Sequence, residues 1–260
     1  MELSGRRVII TGGAQGIGEG LVRYFASQDG TVVSMDVKDD LGTQVASEAT
    51  SEGPGTVTYV PCNVADRARV FSAFDEAAGI MGGIDALIHV AAISKHQDTA
   101  DITEEDWDLI LGVNLKGTLF TNQAAFAHMK DTGGRILNFS SQAGLVAYAR
   151  QRDYNPSYAA SKAAVLGFTR AVAYEWGKFG ITVNAICPAM RTPMVAAAAA
   201  GKTPEELEFM RHPLNQRSAI KGPGITERDL APFLAFMVGE GSRFISGQTL
   251  IVDGGNTLAR

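Results

Sequence analysis

The sequence predicts an α/β fold: a single-domain, Rossmann-like, doubly wound parallel sheet of about seven strands, with helices on both faces. Three observations carry this. Short β-branched runs alternate with helical patterns from end to end, with short connections between most of them. A glycine cluster, Thr11-Gly12-Gly13-Ala14-Gln15-Gly16-Ile17-Gly18, stands between the first strand and the first helix, which is the context a dinucleotide-binding turn requires. The second strand ends on an acid, Asp36, 18 residues after Gly18. In a Rossmann unit such an acid holds the adenosine ribose hydroxyls and repels a 2′-phosphate. No repeat or composition break divides the chain, so residues 1–260 are expected to form one dinucleotide-binding domain.

Composition excludes several classes. The chain has 260 residues, 45% hydrophobic and 20% charged, enough for a sizeable core and ordinary for a soluble protein. A net charge of −5 argues against nucleic acid or an anionic membrane as partner. Cys62 and Cys187 each end an apolar run and read as buried free thiols in a reducing compartment, with a disulfide as the alternative. The four histidines show no metal-ligand spacing, so no metal is expected. With no charged-then-apolar leader and no run long enough to span a bilayer, a cytoplasmic location is expected.

In order, Arg7–Thr11 reads as a buried strand, and Leu21, Val22, Tyr24 and Phe25 mark the helix after the glycines. Glycines let the backbone approach a pyrophosphate, and the helix N-terminus offers unpaired amides and a positive dipole end. Thr31–Asp36 is the second strand, residues 40–52 a helix, and Thr56–Cys62 the third strand. Asn63 and Val64 follow at a strand's C-terminal end, the edge where open α/β sheets bind ligands. Residues 66–78 are helical, 84–90 form the fourth strand, and a Thr103 cap opens a long helical stretch through Met129, interrupted at Asn114 and Gly117. Residues 134–141 form the fifth strand and Ile181–Cys187 the sixth, ended by Pro188. Residues 189–222, with five consecutive alanines and scattered prolines, read as a partly helical substrate lid. Residues 226–239 form an amphipathic helix with a Thr-x-x-Asp start, Thr249–Val252 is the last strand, and Asp253-Gly-Gly is a structural turn.

Between the fifth and sixth strands, Pro156 and the Ala-rich run after it favour a helix carrying Tyr158 and Lys162. Residues four apart share a helix face, so a phenol and an ammonium stand side by side. A neighbouring cation favours the phenolate and lowers the phenol's pKa, which would suit Tyr158 to proton transfer near neutrality. Alone, such a pair is most often a solvated helix face.

Thr11-Gly-x-x-x-Gly16-x-Gly18, Asn114, Ser141 and Tyr158-x-x-x-Lys162, in that order, resemble the short-chain dehydrogenases/reductases, and Gly247-Gln and Asp253-Gly-Gly are similar to that family's closing segment. The resemblance runs from about residue 5 to 255. It implies Asn114, Ser141, Tyr158 and Lys162 as the catalytic set. Tyr158 would exchange a proton with the substrate oxygen while hydride moves to or from nicotinamide. Lys162 would keep Tyr158 acidic and hold the nicotinamide ribose, and Ser141 would donate to the substrate oxygen. Asn114 would bend its helix and hold a water linking Lys162 to solvent. Ser140 is the rival for the serine role, though a strand-end hydroxyl bonded to backbone fits it better. The cofactor would rest on Gly12, Gln15, Gly16, Ile17, Gly18, Asp36, Asn63, Val64, Ala91, Tyr158, Lys162, Pro188 and Thr192. Gln142, Leu145, Tyr148, Met190 and Met194 are candidate substrate contacts, with ordinary packing as the alternative.

This chain departs from the family pattern in three places. The fourth strand ends His89-Val90-Ala91-Ala92 where the family commonly has Asn-Asn-Ala-Gly, and His89 reads as a hydrogen-bonded packing residue. Ser141 and Tyr158 stand 17 positions apart, longer than usual, which places an insertion within residues 149–155. Pro188 is followed by Ala189, and Thr192 comes one residue early. The resulting expectation is an NAD-dependent alcohol dehydrogenase or ketone reductase for a small to mid-sized, fairly apolar secondary alcohol, assembled as a homotetramer or dimer. Two alternatives stand beside it: an NADP-dependent carbonyl reductase using Lys38, which otherwise points to solvent, and a dinucleotide-bound scaffold or sensor with little turnover.

Overall fold

The computed structural model describes residues 3–146, 155–190, 219–220 and 224–257. Tyr148, Thr192, Met194, most of the expected lid and residues 149–154 of the expected insertion lie outside them.

Seven strands form one sheet in the order β3-β2-β1-β4-β5-β6-β7, and every pair is parallel. They are β1 Arg7–Thr11, β2 Thr31–Asp36, β3 Thr56–Pro61, β4 Ala86–His89, β5 Gly134–Phe139, β6 Ile181–Pro188 and β7 Thr249–Val252. Strand order reverses between β1 and β4, which opens a crevice above their C-terminal ends. The two strand ends touch there: a Cβ on Gly12 would come within 2.9 Å of the Ala91 backbone.

Alternate residues of each strand serve two cores. Val8 and Ile10 of β1 face one with α1 (Gly16–Ser27) and α7 (Ala231–Val238), while Ile9 faces the other with α3 (Arg67–Met81), α5 (Gly117–Met129) and α6 (Pro156–Trp176). Phe25 and Phe74 are fully buried, one in each core. Truncating either to alanine would cost about 3–5 kcal/mol.

The expected elements are present with adjusted ends. Helix α2 spans Asp39–Glu52, and β4 and β5 stop before Val90 and Ser140, which frees Ser140 and Ser141 for the loop. β6 runs through Pro188, which pairs in register with Val252 instead of breaking the strand. The long helical stretch is α4 (Glu104–Leu111), one π turn (Gly112–Lys116) and α5, with the irregularity at Asn114. The Thr226 start is different from that expected. Ile225 occupies the cap position with no side-chain cap, Asp229 accepts the Ile225 N–H at 2.8 Å, and Thr226 packs where a Cβ on Gly20 would be 2.9 Å away. Helix α7 is mostly buried, with Ala231, Leu234, Met237 and Val238 in the core, so it is less two-faced than its sequence suggested. Among the described residues no helix is long and apolar enough to cross a membrane.

Candidate active site

The glycine turn closes the β1 side of the crevice. Gly12 and Gly16 have φ of 73° and 62°, values that favour glycine. A Cβ on Gly18 would lie 1.9 Å from the Gly12 carbonyl oxygen, so helix and turn approach as only glycine permits. The Gly12 N–H is tied to the Met35 carbonyl at 2.7 Å, which joins the turn to the end of β2. Asp36 completes this cradle. One carboxylate oxygen accepts the Ala14 N–H at 3.1 Å, and the other accepts the N–H groups of Val37 and Lys38 at 2.7 and 3.1 Å. Ile17 is half-buried against the core; Asn63 is exposed and caps its own turn through Ala65, and Val64 is buried against Gly117. Gly18 lets the N-terminus of α1 close against the turn, and the Asp36 carboxylate stands beside it. These residues fit a nicotinamide dinucleotide.

Lys38 is exposed, as its sequence position suggested, and its ammonium donates to the exposed Gln15 side-chain oxygen at 2.8 Å. It therefore lies beside the glycine turn.

Across the crevice, α6 presents Tyr158 and Lys162. Asn155 caps this helix by accepting the Tyr158 N–H at 3.4 Å, and its amide also reaches Ser94. The Tyr158 hydroxyl lies near enough to Ser141 for that hydroxyl to favour its phenolate, and Ser141 Oγ accepts the Ala143 N–H at 3.1 Å. Lys162 is buried and donates its ammonium to the Phe139 carbonyl at 2.7 Å, with Nζ 5.6 Å from the Tyr158 ring centre. The expected acidification of Tyr158 by Lys162 is not what this packing produces. Burial raises the phenol, the nearby Ser141 hydroxyl works against that rise, and the lysine's charge is directed to a carbonyl. Burial likewise lowers Lys162 to about 8.

Ser140 turns away and donates to the Lys162 carbonyl at 2.7 Å. Asn114 is fully buried, and its amide grips the Ile93 backbone in both directions, Oδ1 from the N–H at 2.8 Å and Nδ2 to the carbonyl at 2.9 Å. Nδ2 also donates to Ser161 Oγ at 3.0 Å. The kinked helix is thus tied to the segment after β4 and to α6. His89 is buried, as a packing histidine should be. Its Nδ1 is 2.8 Å from Thr11 Oγ1, its Nε2 has no protein partner, and burial with the nearby Lys162 holds it down at about 3.

Of the candidate substrate contacts, the three among the described residues are packed. Gln142 is buried and its amide is bonded to Asp253 and Asn256. Met190 is buried in the first core and bridged to Gly224, while Leu145 packs with Leu166, Ala185 and Cys187. Pro188 and Ala91 stand half-buried at the ends of β6 and β4. Sequence reasoning gave Asp253 no part in this region; a carboxylate in a glycine turn, facing the strand-end serines across β6, was the available signal. The buried amides of Asn138 and Asn122, paired at 2.8 and 3.1 Å beneath the site, were also missed. Among the described residues no group of His, Cys, Asp and Glu could hold a metal.

A parallel sheet with a glycine cradle at its reversal point, facing half-buried Ser141 and Tyr158 and the buried Lys162, defines a dinucleotide-dependent oxidoreductase class. Comparison with known proteins narrows it. The family model described as enoyl-(acyl carrier protein) reductase matches residues 12–257. Oxidoreductase UcpA of Salmonella typhimurium is 33% identical over 260 residues, covering 99% of this chain and 96% of that protein. The 3-oxoacyl-[acyl-carrier-protein] reductase FabG of Thermotoga maritima is 33% identical over 261 residues, covering 98% and 99%. The crystal structure of a short-chain type dehydrogenase/reductase from Mycobacterium marinum superposes with a TM-score of 0.88 at 29% identity, covering 99% of this chain and 98% of that one. The chain belongs to the short-chain dehydrogenase/reductase family, whose members are oxidoreductases that use a nicotinamide dinucleotide.

Proposed function

We propose that this protein transfers hydride between NAD and a small to mid-sized, fairly apolar secondary alcohol or its ketone. The observation that carries the reading is Tyr158 set near the Ser141 hydroxyl and one helical turn from the buried Lys162, whose Nζ lies 5.6 Å from the Tyr158 ring centre. The bound dinucleotide would supply the hydride acceptor or donor. Tyr158 holds the proton that must leave or join the substrate oxygen, and Ser141 presents a hydroxyl to the charge developing there. Lys162, anchored on Phe139, places its ammonium beside the phenol and the ribose position, and Asn114 braces α6 through Ser161. The Asp36 carboxylate favours ribose hydroxyls over a 2′-phosphate. Purified protein supplied with NAD and a panel of secondary alcohols, followed by reduced-nicotinamide absorbance, tests this. No turnover on any member, with NAD bound, would favour the scaffold reading.

A second reading, NADP-dependent reduction, rests on Lys38. An ammonium 2.8 Å from Gln15, beside the glycine turn, is within a side-chain rotation of a 2′-phosphate. Relative kcat/KM with the two dinucleotides separates the readings. We also expect a homotetramer or dimer, as is common in this family. Tyr174 and Phe244, 94% and 96% exposed, are large rings left in water by the isolated chain.

A further inference from the structure

The turn after β7 reaches Gln142, the residue next to Ser141. Among the described residues Asp253 accepts four hydrogen bonds. Oδ1 takes the N–H groups of Gly255 and Asn256 at 2.9 and 3.1 Å. Oδ2 takes the Thr257 N–H and the Gln142 side-chain amide, each at 2.6 Å. Gln142 directly follows Ser141, and its own oxygen accepts from the Asn256 amide at 3.2 Å. The same turn holds the chain at 219–220: the Gly254 carbonyl accepts the Ile220 N–H at 2.9 Å, and a Cβ on Gly255 would be 3.0 Å from Ala219.

Capping a glycine turn requires only the Oδ1 contacts. The Oδ2 bond to Gln142 crosses 111 positions of sequence to a buried amide beside the residue that lies near Tyr158. A short, charge-assisted bond of this kind fixes both position and orientation. Cys187, at the end of β6, lies near the same groups: its thiol is influenced by Ser140, by the Ser141 backbone and by the Asp253 charge.

We infer that Asp253 is a positioning residue: through Gln142 it orients the Ser141 turn, and through Gly254 it sets the chain at Ile220, so the C-terminal turn shapes the substrate side of the site. The inference rests on the reading of Ser141 as hydrogen-bond donor to the substrate oxygen. The adenosine end of the cradle lies on the β1 and β2 side of the sheet, so the clamp, at the end of β7, leaves that half of the cofactor's site untouched.

Gln142→Glu sets carboxylate against carboxylate. Combining it with Asp253→Asn restores one donor and one acceptor with their direction reversed. Three measurements are compared: kcat/KM across the alcohol panel, dinucleotide affinity by fluorescence titration, and hydrogen exchange over residues 140–146. The single variant is expected to lose about tenfold or more in kcat/KM, as misplacement of a catalytic group does. Exchange over 140–146 quickens in it while dinucleotide affinity holds, and the double variant recovers most of both losses. Wild-type exchange and turnover in Gln142→Glu, or a folded double variant no better than the single one, would overturn the clamp. A wild-type protein inactive with both dinucleotides would instead overturn the oxidoreductase reading, and exchange over 140–146 would still decide the clamp.

Discussion

Ser140 donates its hydroxyl to the Lys162 carbonyl at 2.7 Å. That bond fastens the end of β5 to α6 and leaves Ser141, the next residue, to meet Tyr158. Ser140→Ala is expected to cost about 1 kcal/mol of stability, the net worth of one hydrogen bond, and to keep turnover. Ser141→Ala is expected to lower kcat about 10²–10³-fold and, through the lost Ala143 N–H bond, to cost a similar ~1 kcal/mol of stability. Paired kinetics and thermal melts read both, and equal kinetic losses would reassign the serine role.

Tyr158→Phe keeps the ring and removes only the hydroxyl, so hydride transfer is expected to vanish while dinucleotide binding survives. In the intact protein burial holds the phenol high. Oxidation, which needs the phenolate, should therefore quicken as pH rises, and reduction, which needs the phenol, should slow. Stopped-flow rates in both directions check this. Normal turnover by the variant would remove Tyr158 from the chemistry.

His89 is neutral in the folded chain, held near 3 against an ordinary value of 6.5. Above pH 6.5 both folded and unfolded states are neutral there and nothing changes. As pH falls below it, the unfolded state takes a proton that the folded state refuses, so stability is lost, by at most about 1.4 kcal/mol per pH unit. His89→Asn is expected to flatten the fall in Tm between pH 6.5 and 5. An unchanged slope would mean that the ring is charged in the folded protein.

Asp36→Ala is expected to weaken NAD binding and to raise the relative kcat/KM for NADP, since a 2′-phosphate would then meet Lys38 without a carboxylate beside it. Lys38→Ala should act the other way or not at all. A wild-type preference for NADP that Lys38→Ala abolishes would make the lysine, not the acid, the deciding group.

Gly18→Ala would place a methyl 1.9 Å from the Gly12 oxygen, where nothing can yield except backbone. The expected result is loss of dinucleotide binding together with a lower Tm. Calorimetry and fluorescence titration on the same preparation would show both.

The local parts of this protein were legible in its sequence. The glycine turn depends on backbone conformations that only glycine reaches freely, the parallel strands on unbroken β-branched runs, and the Tyr158–Lys162 pair on helical spacing, and each of these acts within a few residues. The break at Asn114 was legible too, because Asn and Gly interrupt a good helical pattern. What tertiary structure alone decided is where the polar groups spend their bonds. Lys162 turns to the Phe139 carbonyl, Asn114 grips Ile93, Lys38 folds onto Gln15, and Gln142 reaches Asp253. Each of these is a contact between chain segments that only the closed sheet brings together, and burial, which also sets the protonation of His89, Tyr158 and Lys162, exists only once the sheet has formed.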